Sequence, residues 1–175
     1  MEKQDLLNEL NNNHQLFIHH INSLSEADYN YAPQGKWSAG QQLDHIIKAV
    51  DPLVQAFLLP EFVFKLMFGK ANRPSKTYEG LVAKYKEKLA AGGRASGPFI
   101  PPVQQFADKQ QLINKLNKKI DKLSGRASGF SESQMDRIII PHPLLGKVTM
   151  REMLYFTAYH VLHHDQLVKQ YLAGK

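Results

Sequence analysis

Histidine is the residue type through which this sequence could carry metal chemistry, because the chain contains eight histidines and no cysteine. The lack of cysteine excludes disulfides, thiolate zinc sites, iron–sulfur clusters and a cysteine nucleophile. Any metal site would therefore consist of imidazole and carboxylate ligands, and imidazole suits metals such as zinc and nickel. The positions of the histidines along the chain decide which of them could act together.

Two histidines share one face of the last predicted helix. Residues four apart on a helix have Cβ atoms ~6 Å apart, so His160 and His164 could bind one metal ion. Burying both without a metal or an acid would leave unpaired polar atoms, at about 1–3 kcal/mol each. The pair alone is equally compatible with a metal site and with a hydrogen-bonded core pair. His163 points to one side of the helix face that His160 and His164 share. His160 and His164 occupy two consecutive positions of a bundle seam. The residues of this seam are Met153, Thr157, His160, His164, Leu167 and Tyr171.

A third ligand must come from another helix, and His45 is the best candidate. It lies early in the second predicted helix, beside the apolar stripe, in a band of small or neutral residues with Gln42, Ala49 and Ala56. A histidine at that edge could reach a cavity between helices, or it could be a half-exposed side chain. Spacing alone slightly favours the half-exposed side chain. The adjacent Asp44 is expected on the solvent side of the helix.

The helices that must position these histidines follow from apolar residues at helical intervals. Capping boxes at Ser38–Gln41 and Thr149–Glu152 predict the starts of the second and the last helix. The last helix is expected to end near Leu172. Other predicted helical segments end near Ser23–Leu24 or span Tyr78–Ala91, Asp108–Leu123 and Ser131–Arg137.

Between these helices, proline and glycine predict loops. Ile138–Pro143 is expected to be extended through proline restriction rather than through sheet pairing. Gly-Arg-Ala-Ser-Gly occurs at 93–97 and again at 125–129, and the first glycine of each copy is expected to end the preceding helix. The chain is thus predicted to be one all-α bundle. Its second crossover, between helices 2 and 3, is long and carries a short extra helix.

Length, composition and charge define the class of protein. The 175 residues are 43% hydrophobic and 22% charged, which predicts a single globular domain over 1–175. The net charge of +6 suits solubility and a loose attraction to anions. Lysines cluster on the third main helix, but no nucleic-acid-binding motif accompanies them, so we expect a solvated face and no nucleic-acid partner.

We expect neither a membrane-spanning segment nor a secretory signal peptide. The most apolar segment, Ala56–Phe68, is interrupted by Pro60, Glu61 and Lys65, and it falls short of the ~20 residues that span a bilayer. The first residues form a polar, helix-like stretch without the apolar region of a signal peptide. The expected location is therefore the cytoplasm.

The order and spacing of several short motifs resemble one protein family across nearly the whole chain. Trp37-Ser38, Gln42-Leu43-x-His45-Ile46 and His160-x3-His164-x-Gln166-Leu167 resemble the DinB/YfiT-like superfamily of four-helix-bundle, metalloenzyme-type proteins. Pro141-His-Pro-Leu-Leu-Gly146 also looks like that family's lead-in to the final helix. The resemblance implies an up-and-down four-helix bundle. It also implies a divalent metal ion, such as zinc, nickel or manganese, held by His45, His160 and His164.

Chemistry and partners follow from such a site. Three neutral histidines leave an open coordination position, where the metal can lower the pKa of a water molecule or polarise a carbonyl. Similar proteins include thiol-dependent transferases, so a metal-dependent hydrolase or a thiol S-transferase acting on a small molecule is the first hypothesis. No general base is identifiable. The alternative is a non-catalytic metal- or ligand-binding bundle that forms a homodimer. The long loop over 69–107 departs from the family pattern and leaves the substrate open.

Overall fold

The computed structural model describes residues 1–175 as eight helices and one two-stranded hairpin. Four long helices form the bundle and confirm the predicted all-α fold class. None of the helices combines the length and the apolar character needed to span a bilayer. The helices are α1 (Lys3–Ser23), α2 (Glu26–Asn30), α3 (Ala39–Ala56), α4 (Glu61–Phe68), α5 (Tyr78–Ala90), α6 (Lys109–Ser128), α7 (Glu132–Arg137) and α8 (Met150–Ala173).

The packing of the long helices brings α3 and α8 side by side. α1 packs against α6 and α8, and α3 packs against α6 and α8. α3 and α8 run antiparallel, because Gln42 of α3 contacts His164 whereas His45, one turn later, contacts the earlier His160. Side chains of the first half of α3 therefore face those of the second half of α8.

The two predicted capping boxes fix the starts of these helices. The Ser38 hydroxyl accepts a hydrogen bond from the Gln41 amide at 3.3 Å, and the Gln41 side chain accepts one from the Ser38 amide at 3.1 Å. Thr149 and Glu152 make the same reciprocal pair at 3.1 and 2.9 Å. A cap of this kind contributes about 1 kcal/mol, and it also fixes the phase with which each helix presents its side chains.

The crossover between α3 and α6 contains two helices where the sequence predicts one. α5 matches the expected segment, and α4 is additional. α4 begins after Pro60 and buries Phe64 in the core, whereas the side chains of Phe62 and Leu66 are 69% and 85% exposed. Its residues are apolar on nearly all sides, so they lack the polar and apolar faces by which a short helix is recognised.

The segment before α8 forms a hairpin, and the expectation of an unpaired extended segment at Ile138–Pro143 is wrong. Strand β1 (Ile139–His142) pairs antiparallel with β2 (Gly146–Thr149), with Pro141 opposite Lys147. Proline is tolerated because each strand of a two-stranded sheet is an edge strand. Gly146, with φ of 75°, supplies the left-handed residue where the chain returns.

α6 is longer than predicted, because the second Gly-Arg-Ala-Ser-Gly copy does not end it. Gly125 lies inside the helix, which continues to Ser128. A glycine inside a helix costs about 1 kcal/mol, but Leu123 and Ala127 on either side of it are fully buried, and this packing outweighs the cost.

Candidate metal centre

The imidazole rings of His160 and His164 meet inside the bundle, as their spacing on α8 predicts. Both side chains are buried, and their Nε2 atoms are 2.9 Å apart. The rings are nearly perpendicular to each other, with centroids 4.5 Å apart. The helical phase of α8 therefore produces a pair of converging ring nitrogens.

His45 of α3 completes a cluster of three imidazoles. Its Nε2 atom lies 3.3 Å from Nε2 of His160, and one ring nitrogen from each of the three residues lies within 4.8 Å of the others. His45 is only 6% exposed, so the half-exposed position that spacing slightly favours is wrong. The reason is that residues of the crossover, including Phe99, lie over the edge of α3 at this point.

Hydrogen bonds at the opposite ring nitrogens fix the tautomers of two of the three histidines. Nδ1 of His45 donates to the carbonyl oxygen of Phe99 at 2.7 Å, and Nδ1 of His164 donates to the side-chain oxygen of Gln42. A neutral imidazole carries one proton, so the Nε2 atoms of both rings present lone pairs. These lone pairs point towards Nε2 of His160.

Burial keeps all three rings neutral. Desolvation lowers the pKa of His45, and it lowers the pKa values of His160 and His164 well below their usual range, with neighbouring histidines adding to the effect for these two. Neutral imidazole is the form that ligates metals. The electrostatics of the cluster therefore disfavour protonation by solvent and favour lone pairs.

The residues present fit a divalent metal ion. Two imidazoles bound to one tetrahedral zinc ion at 2.0–2.1 Å have ligating nitrogens about 3.3 Å apart. The observed separations of 2.9 and 3.3 Å are close to that value. Without a cation, a proton on His160 could satisfy only one of the two facing lone pairs, and the other would remain buried and unpaired.

Trp37 forms a wall beside two of the three histidines. Its ring is nearly parallel to that of His164, at 13° and 6.4 Å, and its centroid lies 5.0 Å from that of His45. The indole restricts the rotation of both imidazoles. The half-buried Trp37 thus belongs structurally to the cluster.

A cavity of about 1030 Å³ opens from the cluster. Its lining includes all three histidines together with side chains from α3, α4, α5, the hairpin and α8, and it includes no aspartate or glutamate. Ligand-binding pockets are typically 300–1,000 Å³ with a mostly apolar wall. The cluster therefore has one side open to a space large enough for a small molecule.

His163, Tyr85 and His142 are among the other polar side chains that line this cavity, and none of them is a predicted metal ligand. His163 is half-buried beside His164, and Tyr85 of α5 packs edge-on against both His160 and His163. Burial raises the pKa of Tyr85, so its phenol stays protonated. For His142, which lies between two prolines, the sequence favours loop structure over a place at the mouth of a pocket, but the side chain lines the cavity.

His142 is held as a neutral hydrogen-bond donor. Its Nδ1 atom accepts hydrogen bonds from the Leu144 and Leu145 amides, both at 3.1 Å, so the ring proton must be on Nε2. Burial, and secondarily the charge of Lys84, lowers its pKa to about 4. The ring packs on Phe156 at 4.2 Å, and Phe156 in turn stacks on His160.

The remaining histidines and nearby acids lie outside the cluster. His14 is fully buried and donates from Nδ1 to the Leu10 carbonyl at 2.7 Å, but its Nε2 atom has no hydrogen-bond partner, whereas His19 is exposed. His20 bonds Asp165 at 2.6 Å, on the α1 side of α8. Asp44 is not on the solvent side as expected, because α2 packs against α3 there, and its carboxylate lies 3.3 Å from the ammonium group of Lys48.

Comparisons with known proteins agree with this architecture. The sequence profile described as the DinB superfamily matches residues 9–168. An uncharacterised protein, YuaE, from Bacillus subtilis is 23% identical over 151 residues, which are 86% of each chain. The crystal structure of a conserved protein from Enterococcus faecalis has a TM-score of 0.62 at 18% identity and covers 100% of this chain and 99% of its own. This last likeness supports the fold alone.

Proposed function

We propose that this chain, which belongs to the DinB superfamily, binds a divalent metal ion through His45, His160 and His164 and acts on a small molecule in the adjoining cavity. The family and the three-histidine cluster are compatible with a metal-binding protein. The observation that carries the proposal is the convergence of three buried Nε2 atoms, two of which must present lone pairs.

The open side of the cluster supports an enzyme over a structural metal site. Structural zinc sites are usually closed by four protein ligands, whereas catalytic sites use three and leave one position for substrate. Here three histidines meet at the wall of a cavity. A bound divalent ion would act as a Lewis acid or lower the pKa of a substrate group.

The protein's own side chains would orient and enclose the substrate. Gln42 and the Phe99 carbonyl fix two ligand rings, and Trp37 packs beside them. His142, with its proton on Nε2, would donate a hydrogen bond to an oxygen of the substrate, and the protonated Tyr85 phenol offers a second donor. The apolar wall would exclude water from these contacts.

The choice of reaction class depends on the missing carboxylate. A hydrolase uses a general base such as histidine, aspartate or glutamate to take the proton of the attacking water, and no aspartate or glutamate lines the cavity. A thiol bound to a divalent ion would need no such base, because the ion would lower its pKa and the proton would pass to solvent. Thiol-dependent transfer is therefore the reaction class that the cavity favours over hydrolysis.

Elemental analysis of the purified protein tests the metal site. We expect about one equivalent of a divalent metal per wild-type chain, and a loss of most of it in His160→Ala because only two ligands remain. His19→Ala is the matched control, since His19 is exposed on α1. Unchanged metal content in His160→Ala would refute the assignment.

The alternative function is a non-catalytic, dimeric binding protein, and the exposed apolar residues of α4 favour it. Analytical ultracentrifugation of wild type and of Leu66→Asp would decide, with Leu16→Asp on α1 as control because Leu16 is also exposed. A dimer that only Leu66→Asp dissociates would support this function. A monomeric wild type would remove it.

A further inference from the structure

The cavity extends well beyond the three histidines along α3. At 1.5 Å per residue, the stretch of helix from His45 to Ala56 is about 16 Å long. Both residues line the same cavity, so the space runs along much of this length. We call its far part the apolar chamber, which is lined by Pro52, Leu53, Ala56, Phe64, Met67 and Phe68.

The small residues of α3 help to leave this space open. Ala49 and Ala56 lie on the same helix face as His45, one and three turns further on, and both line the cavity. Larger side chains there would fill the gap between α3 and α8. The cavity is thus an apolar extension that begins at the ring nitrogens of the cluster.

The charges at the cavity have one sign. No aspartate or glutamate lines it, whereas the exposed side chains of Lys36 and Arg94 do. Arg94 is held there by a hydrogen bond of 2.7 Å from its guanidinium to the Gly93 carbonyl. The cluster contains histidines and no carboxylate, so a divalent ion held there would add two positive charges that no acidic side chain of the cavity offsets.

We propose that the cavity binds an amphipathic anion, whose negatively charged head group lies at the metal centre and whose apolar body fills the apolar chamber. The inference rests on the proposed function and specifies its substrate class. A carboxylate or thiolate head would gain from the uncompensated positive charge. An alkyl or aryl body would gain from the apolar wall, and a cationic molecule would be repelled.

Isothermal titration of the metal-loaded protein with straight-chain ligands tests both halves of the proposal. We expect the dissociation constant to fall by about fourfold for each added methylene from butanoate to octanoate, as for full burial of each group. We expect 1-octanol and octylammonium to bind about tenfold or more weakly than octanoate, because a unit charge interacts strongly with a nearby ion in a partly buried site.

Three outcomes would overturn the proposal. Equal binding of octanoate and 1-octanol would show that the site does not select an anionic head group. Equal binding of butanoate and octanoate would show that it does not bind an apolar body. Failure of octanoate to bind protein that carries its metal would refute both parts of the proposal. A protein that fails to take up metal in the elemental analysis would instead refute the proposed metal site, so the two failures are distinguishable.

Substitutions locate the two parts of the ligand. Ala56→Leu narrows the apolar chamber and is expected to weaken octanoate more than butanoate, whereas Ala90→Leu, on the exposed end of α5, is not. Lys36→Gln removes a charge at the cavity and is expected to weaken all carboxylates alike, whereas Lys118→Gln, on the exposed face of α6, is not. Equal effects of a variant and its control would contradict the placement.

Discussion

Single hydrogen bonds determine what the three histidines can do. In His164 and His45 the proton is held on Nδ1 by an acceptor outside the cluster, and Nε2 is left to bind. Such outer partners fix ring orientation and raise the basicity of metal-ligating histidines. Gln42 is the partner that can be changed without touching the backbone, and it is itself buried.

Gln42→Leu removes this acceptor and keeps the approximate volume of the side chain. We expect metal affinity to fall by about 10–100-fold, because the ring of His164 is no longer oriented and its Nδ1–H is left unpaired. A competition titration with a chromophoric chelator measures the affinity. Gln55→Leu is the control, since Gln55 is an exposed residue of the same helix. Equal affinities in the two variants would mean that Gln42 does not orient the ligand.

At this scale the sequence identified the three histidines that come together, through helical phase for the α8 pair and through family resemblance for His45. It misplaced Asp44, because phase along α3 says nothing about what α2 covers. Tyr29 of α2 lies close enough to that carboxylate to feel its charge. Burial is the main cause that raises the pKa of Tyr29 to about 12, and the charges of Asp108 and Asp44 add to it. The phase of one helix does not show which other elements pack against it.

Among the elements, α2 and α3 meet at an unusually close approach. A Cβ atom on Gly40 would lie 2.6 Å from Cε1 of the buried Tyr29 ring, so the first turn of α3 needs glycine to pack there. Gly125 in α6 has open space around the same position. Gly40 and Gly125 therefore offer a matched pair of helical glycines.

Alanine at these two glycines should have opposite effects on stability. Gly125→Ala is expected to raise the free energy of unfolding by about 1 kcal/mol, the difference in helix propensity. Gly40→Ala is expected to lower it by about 1–3 kcal/mol, since overpacking against Tyr29 exceeds that gain. Urea denaturation followed by circular dichroism measures both. An increase in stability for Gly40→Ala would show that the Tyr29 ring moves aside at little cost.

The elements that the sequence predicted are those with clear polar and apolar faces or with capping boxes, namely the four long helices, α5 and α7. The elements it missed are α2, α4 and the hairpin, which are short. Burial of Ile140 and Val148 stabilises the hairpin although Pro141 removes a donor from the ladder. Tertiary packing decides such segments, and local pattern carries little information about them.

Across the whole molecule, Glu152 joins the start of α8 to the crossover. Its fully buried carboxylate accepts hydrogen bonds from the Arg73 guanidinium at 2.6 and 2.9 Å and from the Lys76 amide at 2.7 Å, in addition to its capping bond to Thr149. The Glu152 side chain thus links α8 to crossover residues that precede it by 76 and 79 positions in the sequence.

This carboxylate makes stability depend on pH. Burial alone would raise the pKa of Glu152, but the hydrogen bonds from Arg73 and the two amides outweigh burial and lower it. The unfolded chain therefore binds the proton more readily than the folded one. The stabilisation is fully present above the pKa of the unfolded state and is lost as pH falls through the lower, folded pKa.

Glu152→Gln tests that link. We expect the variant to be less stable at neutral pH by about 1–3 kcal/mol, and to lose less further stability than wild type on acidification, because it has no carboxylate to protonate. Urea titrations between neutral and acidic pH measure both quantities. Parallel pH profiles for the two proteins would show that Glu152 is not the group responsible.

The packing of Trp37 beside the histidines has an optical consequence. The chain contains one tryptophan, so emission excited selectively at the indole comes from this single ring, 5.0 Å from the ring of His45 and nearly parallel to that of His164. A quenching ion such as Cu²⁺ that enters between the imidazoles would extinguish most of this emission. Intrinsic fluorescence therefore gives a direct, label-free reading of site occupancy.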